Sequence, residues 1–259
     1  MSTLRFRHIG FFLLMLWMTA CSNDTSDVEA QIKRIKKESR QYSNPDWTMK
    51  MDSIILLNPN DPEPYYRKAV REYRRGDYIN GLQNLEIAAQ LNPGEYANYL
   101  GYVYMADLRD YDRAQEIFEM AATKGYKEDV IVAGTVYMRL GIVYYKKGLY
   151  QKAIKALDKD VAEFGEKNVY TYTFVYRGMA KAKLNDAEGA IADFDKAIEL
   201  WDKCPEAYYH KAILLQELGK KQEACRMVQK ALLNKNVLWT YFDQLYEWDL
   251  EQLFDQTCR

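Results

Sequence analysis

The stretch from Tyr137 to Val161 constrains the fold more than any other part of this sequence. Apolar and small residues recur at helical spacing on either side of Gly148, which separates two helical patterns. Gly141 in the first pattern and Ala153 in the second are small enough for two helix backbones to approach closely. The stretch therefore predicts two helices that cross at these residues and are joined by a tight turn.

The positions of these residues resemble the tetratricopeptide repeat (TPR), a 34-residue helix-turn-helix unit. Counting Tyr137 as the fourth residue of a unit places Leu140 seventh, Gly141 eighth, Tyr144 eleventh and Ala153 twentieth. The corresponding small residue of the second helix recurs at positions 81, 114, 153, 190 and 224, at spacings of 33 to 39 residues. The resemblance implies a right-handed TPR superhelix, an α-solenoid of about six helix pairs at residues 28–238, which serves as a scaffold for proteins or peptides.

The composition is compatible with this fold. Hydrophobic residues make up 48% of the chain and charged residues 28%, as expected for helices that each have one solvated face. The six prolines lie at predicted helix junctions, and the alternation typical of strands is hard to find. The sequence therefore predicts an all-α protein.

The N-terminus resembles the signal peptide of a bacterial lipoprotein. Arg5 and Arg7 precede an apolar run at residues 9–18, which is too short for a bilayer span of roughly 20 residues but suits a signal-peptide core. The run leads into Met18-Thr19-Ala20-Cys21, which is similar to a lipobox. This implies a signal peptide at residues 1–20 and lipidation of Cys21. The alternative is a plain secreted protein in which this cysteine occurs by chance.

The acidic and polar residues 21–27 predict a flexible tether. A similar segment follows the lipidated cysteine of surface-exposed lipoproteins of the Bacteroidetes type. The resemblance therefore implies an anchor in the outer membrane of a bacterial envelope, with the protein either periplasmic or exposed at the surface.

The charge balance does not favour nucleic acid as a partner. The formal net charge of −1 becomes about −3 once Arg5 and Arg7 leave with the signal peptide. A basic cluster follows the tether at Lys33, Arg34, Lys36 and Lys37. It either lies on lipid headgroups or forms a solvated helix face.

Catalysis and metal binding find little support in the sequence. His210 is the only histidine after removal of the signal peptide, which excludes two-histidine zinc patterns from this chain alone. A glycine-rich phosphate loop is not found, and the helical pattern around Asp193 and Asp195 contradicts a calcium loop. We therefore expect no enzyme activity, no cofactor, no metal and no small-molecule substrate.

Residues 239–259 predict one more amphipathic helix. It would cover the last exposed hydrophobic face of the repeats as a capping helix, and a partner-binding amphipathic segment is the alternative.

The cysteines of the exported chain face an oxidising compartment, so at least one pair among Cys204, Cys225 and Cys258 is expected to be bonded. Folding the capping helix back would bring Cys225 and Cys258 together. This resembles Bacteroidetes TPR proteins with an Ala-Cys pair in the last repeat and a cysteine at the extreme end. The resemblance favours a Cys225–Cys258 bond and leaves Cys204 as a small buried residue.

The TPR resemblance also implies a partner-binding groove. In that family the first helices line the concave face, chiefly through the second, fifth, ninth, twelfth and thirteenth residues of each unit. Those positions hold Tyr66, Val70, Tyr73, Arg74, Asn98, Tyr102, Met105, Met138, Ile142, Tyr145, Lys146, Tyr172, Val175, Met179 and Lys183. Such a set suits an extended or helical protein segment with apolar anchors, rather than the terminal carboxylate that Lys and Asn clamp in other members. The alternative is that these side chains fill a tight superhelix or pack against the chain's own tether.

Together these features predict a membrane-anchored scaffold that binds a protein or peptide partner. Two alternatives remain. One is a structural subunit of an outer-membrane assembly machine, since β-barrel assembly complexes contain a TPR lipoprotein of comparable size. The other is an enzyme, or an adaptor that regulates cell-wall hydrolases or proteases.

Overall fold

The computed structural model of the chain describes residues 25–38, 46–126, 134–235 and 250–259. The regular elements in these ranges are helices, which confirms the predicted all-α class. In chain order they are α1 (25–38), α2 (Trp47–Leu57), α3 (Pro62–Arg74), α4 (Tyr78–Leu91), α5 (Pro93–Ala106), α6 (Tyr111–Lys124), α7 (Val136–Lys146), α8 (Tyr150–Phe164), α9 (Thr171–Lys183), α10 (Ala187–Leu200), α11 (Pro205–Glu217), α12 (Lys221–Asn234) and α13 (Leu250–Cys258).

The chain divides into two compact units, Met1–Asn92 and Pro93–Arg259, which we call unit one and unit two. The predicted signal peptide and Cys21 lie outside the described residues. The predicted tether at residues 21–27 is wrong at its end, because residues 25–27 already belong to α1. The described part of the predicted cap at residues 239–259 contains α13.

The first described helix of unit one is held by a small apolar cluster. Ile32 and Ile35 of α1 pack against Trp47, Met51 and Ile54, which α2 buries completely or almost so. Their spacing is that of one helix face, so the two helices bury one stripe each. This contact places the remaining sides of α1 towards solvent and towards α3.

The third helix begins at a well-formed N-cap. The carboxylate of Asp61 accepts a hydrogen bond from the backbone N–H of Glu63 at 3.1 Å, and Pro62 occupies the first turn. Further along α3, the guanidinium of Arg71 lies 4.7 Å from the centre of the Trp47 ring. These contacts fix the start of α3 and pack its side against α2.

Unit two repeats one close contact in three successive helix pairs. A β-carbon added to the first-helix glycine would lie 2.5–2.8 Å from a large side chain of the second helix, so only glycine allows the backbones to approach this closely. The pairs are Gly101 with Phe118, Gly141 with Leu157, and Gly178 with Phe194. The structure thus confirms the predicted close approach at Gly141.

The turns between paired helices also repeat. Gly148 has a φ of 74° immediately before the N-cap of α8, and Asn185 takes the corresponding place before α10 with a φ of 63°. Asparagine tolerates this left-handed conformation better than most residues. The Asp186 that follows caps α10 by accepting a hydrogen bond from the backbone N–H of Gly189 at 2.9 Å.

The last described helix of unit two covers the preceding pair. Leu250 of α13 packs against Tyr208 and Ala231, and Leu253 packs against Ala212 and Val228. A disulfide joins Cys225 of α12 to Cys258 of α13, with an S–S distance of 2.16 Å and a Cα–Cα distance of 5.0 Å. The described part of the cap therefore lies on both helices of the last pair.

Candidate functional site

Most of the predicted groove residues of unit two are buried. The buried ones are Asn98, Tyr102, Met105, Met138, Ile142, Tyr172, Val175 and Met179. The first helices contact one another in sequence, α5 with α7, α7 with α9 and α9 with α11, and these large side chains fill the space between them. The expectation that they form an accessible groove is wrong for these positions.

Tyr102 shows how this burial arises. Its side chain is 5% exposed, and the guanidinium of the fully buried Arg139 lies 5.3 Å from its ring centre. Arg139 donates hydrogen bonds to the side-chain oxygen of Asn98 at 2.8 Å and to the Asn98 carbonyl at 3.3 Å. The three residues join α5 to α7, so Tyr102 contributes to packing rather than to an open binding surface.

A second buried polar cluster lies between α7, α8 and α9. Thr135, the N-cap of α7, donates a hydrogen bond to one carboxylate oxygen of Asp160, and Thr173 donates to the other at 2.7 Å. Burial raises the pKa of Asp160, although the two threonine hydrogen bonds act in the opposite direction. Both carboxylate oxygens are engaged within the fold, so the cluster has a structural role.

The predicted groove residues of unit two that remain partly or fully accessible are Tyr145, Lys146 and Lys183. The centre of the Tyr145 ring lies 5.7 Å from that of Tyr176 and 5.6 Å from that of Tyr150. Burial is the larger cause and Tyr150 the smaller cause of the rise in the pKa of Tyr145 to about 12. Burial and the nearby Arg109 lower the pKa of Lys146. These positions are too few to form a continuous apolar groove.

His210 packs against aromatic neighbours, in agreement with a structural role. Its ring stacks on Phe194 at 6.2 Å between ring centres and meets the edge of Tyr209 at 5.1 Å. Burial is the main cause that lowers the pKa of His210 to about 3, and the positive charges of Lys146 and Lys183 are smaller causes in the same direction. The imidazole is therefore neutral at physiological pH.

The groove residues of unit one remain accessible. Tyr66, Val70 and Tyr73 are half-buried on α3, and Arg74 is exposed. Val70 and Arg74 follow Arg67 at intervals of three and four residues, so they lie on the same helix face as Arg67. This face continues into a cleft.

The cleft lies between α1 and α3 and has a volume of about 530 Å³. Its lining is mostly charged and consists of Glu29, Ile32, Lys33, Lys36, Lys37, Asn58, Glu63 and Arg67. This volume falls within the range of roughly 300–1,000 Å³ that is typical of ligand pockets. We call this the α1–α3 cleft.

The acidic residue on the α3 side of the cleft is already engaged by the protein's own cations. Glu63 accepts a hydrogen bond from Lys36 at 2.5 Å and forms an ion pair with Arg67 at 3.3 Å. Lys36 also forms an ion pair with Asp61 at 2.9 Å. Burial opposes the charge of Lys36, yet its contacts with Glu63 and Asp61 outweigh this effect and raise its pKa.

Lys33 and Lys37 differ from Lys36, because the structure gives them no ion pair within the described residues. Both are exposed and are four residues apart, which places them on one face of α1. The sequence shows these lysines as a basic cluster but does not connect them with Arg67. No local signal indicates that α1 and α3 face one another, so the cleft could not be predicted.

The described residues contain no cluster of histidine, cysteine, aspartate or glutamate that could hold a metal ion. Among the same residues no helix is both long and apolar enough to cross a membrane. Cys204, a free cysteine of the described residues, is buried, and its thiol donates to the carboxylate of Glu206 at 3.3 Å. Burial and the nearby Glu206 raise the pKa of this thiol.

Comparison with known proteins supports the TPR assignment. The tetratricopeptide repeat family matches residues 106–166 and 177–233. These two stretches, which make up less than half of the chain, are similar to tetratricopeptide repeats. A TPR repeat-containing protein of Methanocaldococcus jannaschii is 33% identical over 119 residues, which are 43% of this chain and 19% of that relative. The chain thus spans about a fifth of the length of the curated relative that it matches.

Several solved structures resemble the chain at low sequence identity. YrrB, a TPR protein with an unusual peptide-binding site, has a TM-score of 0.55 at 20% identity, over 72% of this chain and 92% of YrrB. MamA of Desulfovibrio magneticus has a TM-score of 0.56 at 19% identity, over 70% and 98% of the two chains. The Cut9–Hcn1 hetero-tetramer of the APC/C has a TM-score of 0.61 at 15% identity, over 83% and 39%. These similarities show that the chain shares its fold with the TPR protein YrrB.

Proposed function

We propose that this TPR protein binds a protein or peptide partner along α3 and the α1–α3 cleft of unit one. The accessibility of this surface supports the proposal, since Val70 and Arg74 remain outside the core while most of the predicted groove residues of unit two are buried. The unusual peptide-binding site of YrrB is an analogy for such a surface within the same fold. Partly apolar tyrosine and aliphatic side chains beside cations are suited to protein recognition.

Photo-crosslinking in cells tests this surface. A photoreactive phenylalanine analogue at Val70 should capture a defined partner, because this position is half-buried and follows Arg67, which lines the cleft, by one helical turn. The matched control places the same analogue at Leu233, which is 78% exposed on α12 of unit two. Capture of the same proteins from both positions, or from neither, would contradict binding at unit one.

We further propose that lipid on Cys21 tethers this scaffold to the outer membrane of a bacterial envelope. The proposal rests on the apolar run and the Met18-Thr19-Ala20-Cys21 sequence. Two or three acyl chains hold a protein stably on a membrane, whereas one chain does so only marginally. Cys21→Ser should therefore move the protein to the soluble fraction, and retention of the variant in carbonate-washed membranes would show that the anchor lies elsewhere.

A further inference from the structure

We propose that the α1–α3 cleft selects an acidic partner segment, an extended peptide in which carboxylates flank an apolar side chain. This inference rests on the proposed function and adds the chemistry of the partner. It is carried by the charges in the cleft, by which of them already have partners, and by the shape of the surface.

The charge of the cleft is positive. Four basic side chains and two acidic ones line it, and the acidic Glu63 is engaged by both Lys36 and Arg67. Lys36 is further engaged by Asp61. Lys36 and Arg67 therefore already form ion pairs within the protein. Lys33 and Lys37 also line the cleft, and they form no ion pair in the described structure.

The position of Lys33 and Lys37 favours an anionic ligand. Like charges four residues apart on a helix repel one another, and a carboxylate placed between them would interact favourably with both. Arg67 lines the cleft from α3, and its Nε forms the ion pair with Glu63. Its guanidinium has further N–H donors for a second carboxylate. Cations thus flank the cleft from both helices.

Apolar side chains accompany these cations on both helices. Ile32 lines the cleft on the α1 side, and Val70 follows Arg67 on the α3 side. Both are half-buried, so each offers part of its side chain to a ligand. The arrangement matches a segment that alternates carboxylates with an aliphatic or aromatic residue. A recess between two helices also fits a peptide better than the flat surface of a bilayer.

Fluorescence anisotropy with defined peptides tests the selectivity. The full-length protein is titrated with a short labelled peptide of leucine and glutamate with blocked ends, and with otherwise identical peptides carrying glutamine or lysine for glutamate. The glutamate peptide should bind about tenfold more tightly than the glutamine peptide, and high salt should reduce the difference. The lysine peptide should bind most weakly.

The variant Lys33→Gln/Lys37→Gln should abolish the preference for glutamate. Both lysines are exposed and form no ion pair in the described structure, so the substitutions leave the helix packing intact. The matched control is Lys155→Gln/Lys167→Gln, which removes two exposed lysines of unit two and should keep the preference. Circular dichroism of both variants verifies that they are folded.

Several results would overturn the inference. Equal binding of the glutamate and glutamine peptides, no binding of any peptide, or an unchanged preference in Lys33→Gln/Lys37→Gln would each do so. Binding to phosphatidylglycerol vesicles that requires Lys33 and Lys37, without peptide binding, would assign the lysines to the membrane. A partner that crosslinks from Val70 equally well with and without these lysines would refute the charge selectivity alone, whereas absence of a specific crosslink would refute the proposed function itself.

Discussion

The disulfide between Cys225 and Cys258 should determine whether the last helix stays on the repeats. The described part of α13 has 9 residues, a length that is too short for a helix to be stable in isolation. Its packing relies on Leu250 and Leu253 and on a hydrogen bond that Thr257 donates to the side chain of Gln216 at 3.0 Å. We expect Cys225→Ala/Cys258→Ala to loosen α13 while the preceding helix pairs remain folded.

The size of the effect follows from the length of chain that the bond closes. The bonded cysteines are 33 positions apart, which corresponds to about 4 kcal/mol on the chain-entropy model. Each 1.4 kcal/mol corresponds to about a factor of ten in the equilibrium constant for local opening. Hydrogen-exchange protection of the α13 amides should therefore fall by about several hundred-fold. Amides of α5 to α10 should change little, because each helix pair contacts mainly its neighbours.

Hydrogen exchange followed by mass spectrometry measures this directly. The control is Cys204→Ala, which removes a buried free cysteine and should leave the protection of α13 unchanged. Reduction of the wild-type protein should reproduce the effect of the double variant. Equal protection of α13 in the wild type and the double variant would refute the reasoning, since the packing contacts alone would then hold the helix.

The remaining predictions concern stability. Because the pKa of His210 falls to about 3 on folding, the unfolded chain binds more protons below pH 6.5, so the free energy of unfolding should decrease on acidification by about 1.4 kcal/mol per pH unit. His210→Phe should reduce this slope in denaturant titrations at pH 6.5 and 5, and an unchanged slope would contradict the assignment. Gly178→Ala should lower the free energy of unfolding by about 1–2 kcal/mol, because crowding against Phe194 exceeds the gain in helix propensity. In a double-mutant cycle, Gly178→Ala should cost less stability in the Phe194→Leu background. Additive effects of the two substitutions would argue against the contact. Asp160→Ala should lower stability by about 2–3 kcal/mol by leaving two buried hydroxyl donors without their acceptor, and a change below about 0.5 kcal/mol would contradict this.

Local signals were sufficient to predict much of the fold. Gly141 and Ala153 indicated where two helices cross, and the structure shows that a β-carbon at Gly141 would meet Leu157 at 2.5 Å. Prolines indicated helix starts, as at Pro62 and Pro205. These features depend on residues close together in sequence or on steric limits of the backbone, so they can be recognised without a tertiary structure.

Local sequence signals could not predict whether the side chains of the groove are exposed. A first-helix tyrosine such as Tyr102 suits either an open groove or a packed interior, because its ring is apolar and its hydroxyl is polar. The distance between neighbouring first helices decides whether such a tyrosine lies in an open groove or in a packed interior. That distance depends on contacts such as Arg139 with Asn98, which are 41 positions apart in the chain.

The sequence by itself thus determined the all-α class, the repeat that organises it and the residues at which its helices start, turn and cross, since short-range sterics and periodicity control these features. The tertiary structure alone decided which side chains a partner can reach. In the folded protein Met138 and Ile142 are buried between first helices, whereas Val70 remains partly accessible. The tertiary structure also brought Lys33 and Arg67 from separate helices to one cleft, because the packing of whole helices, and not the order of residues within them, sets such distances.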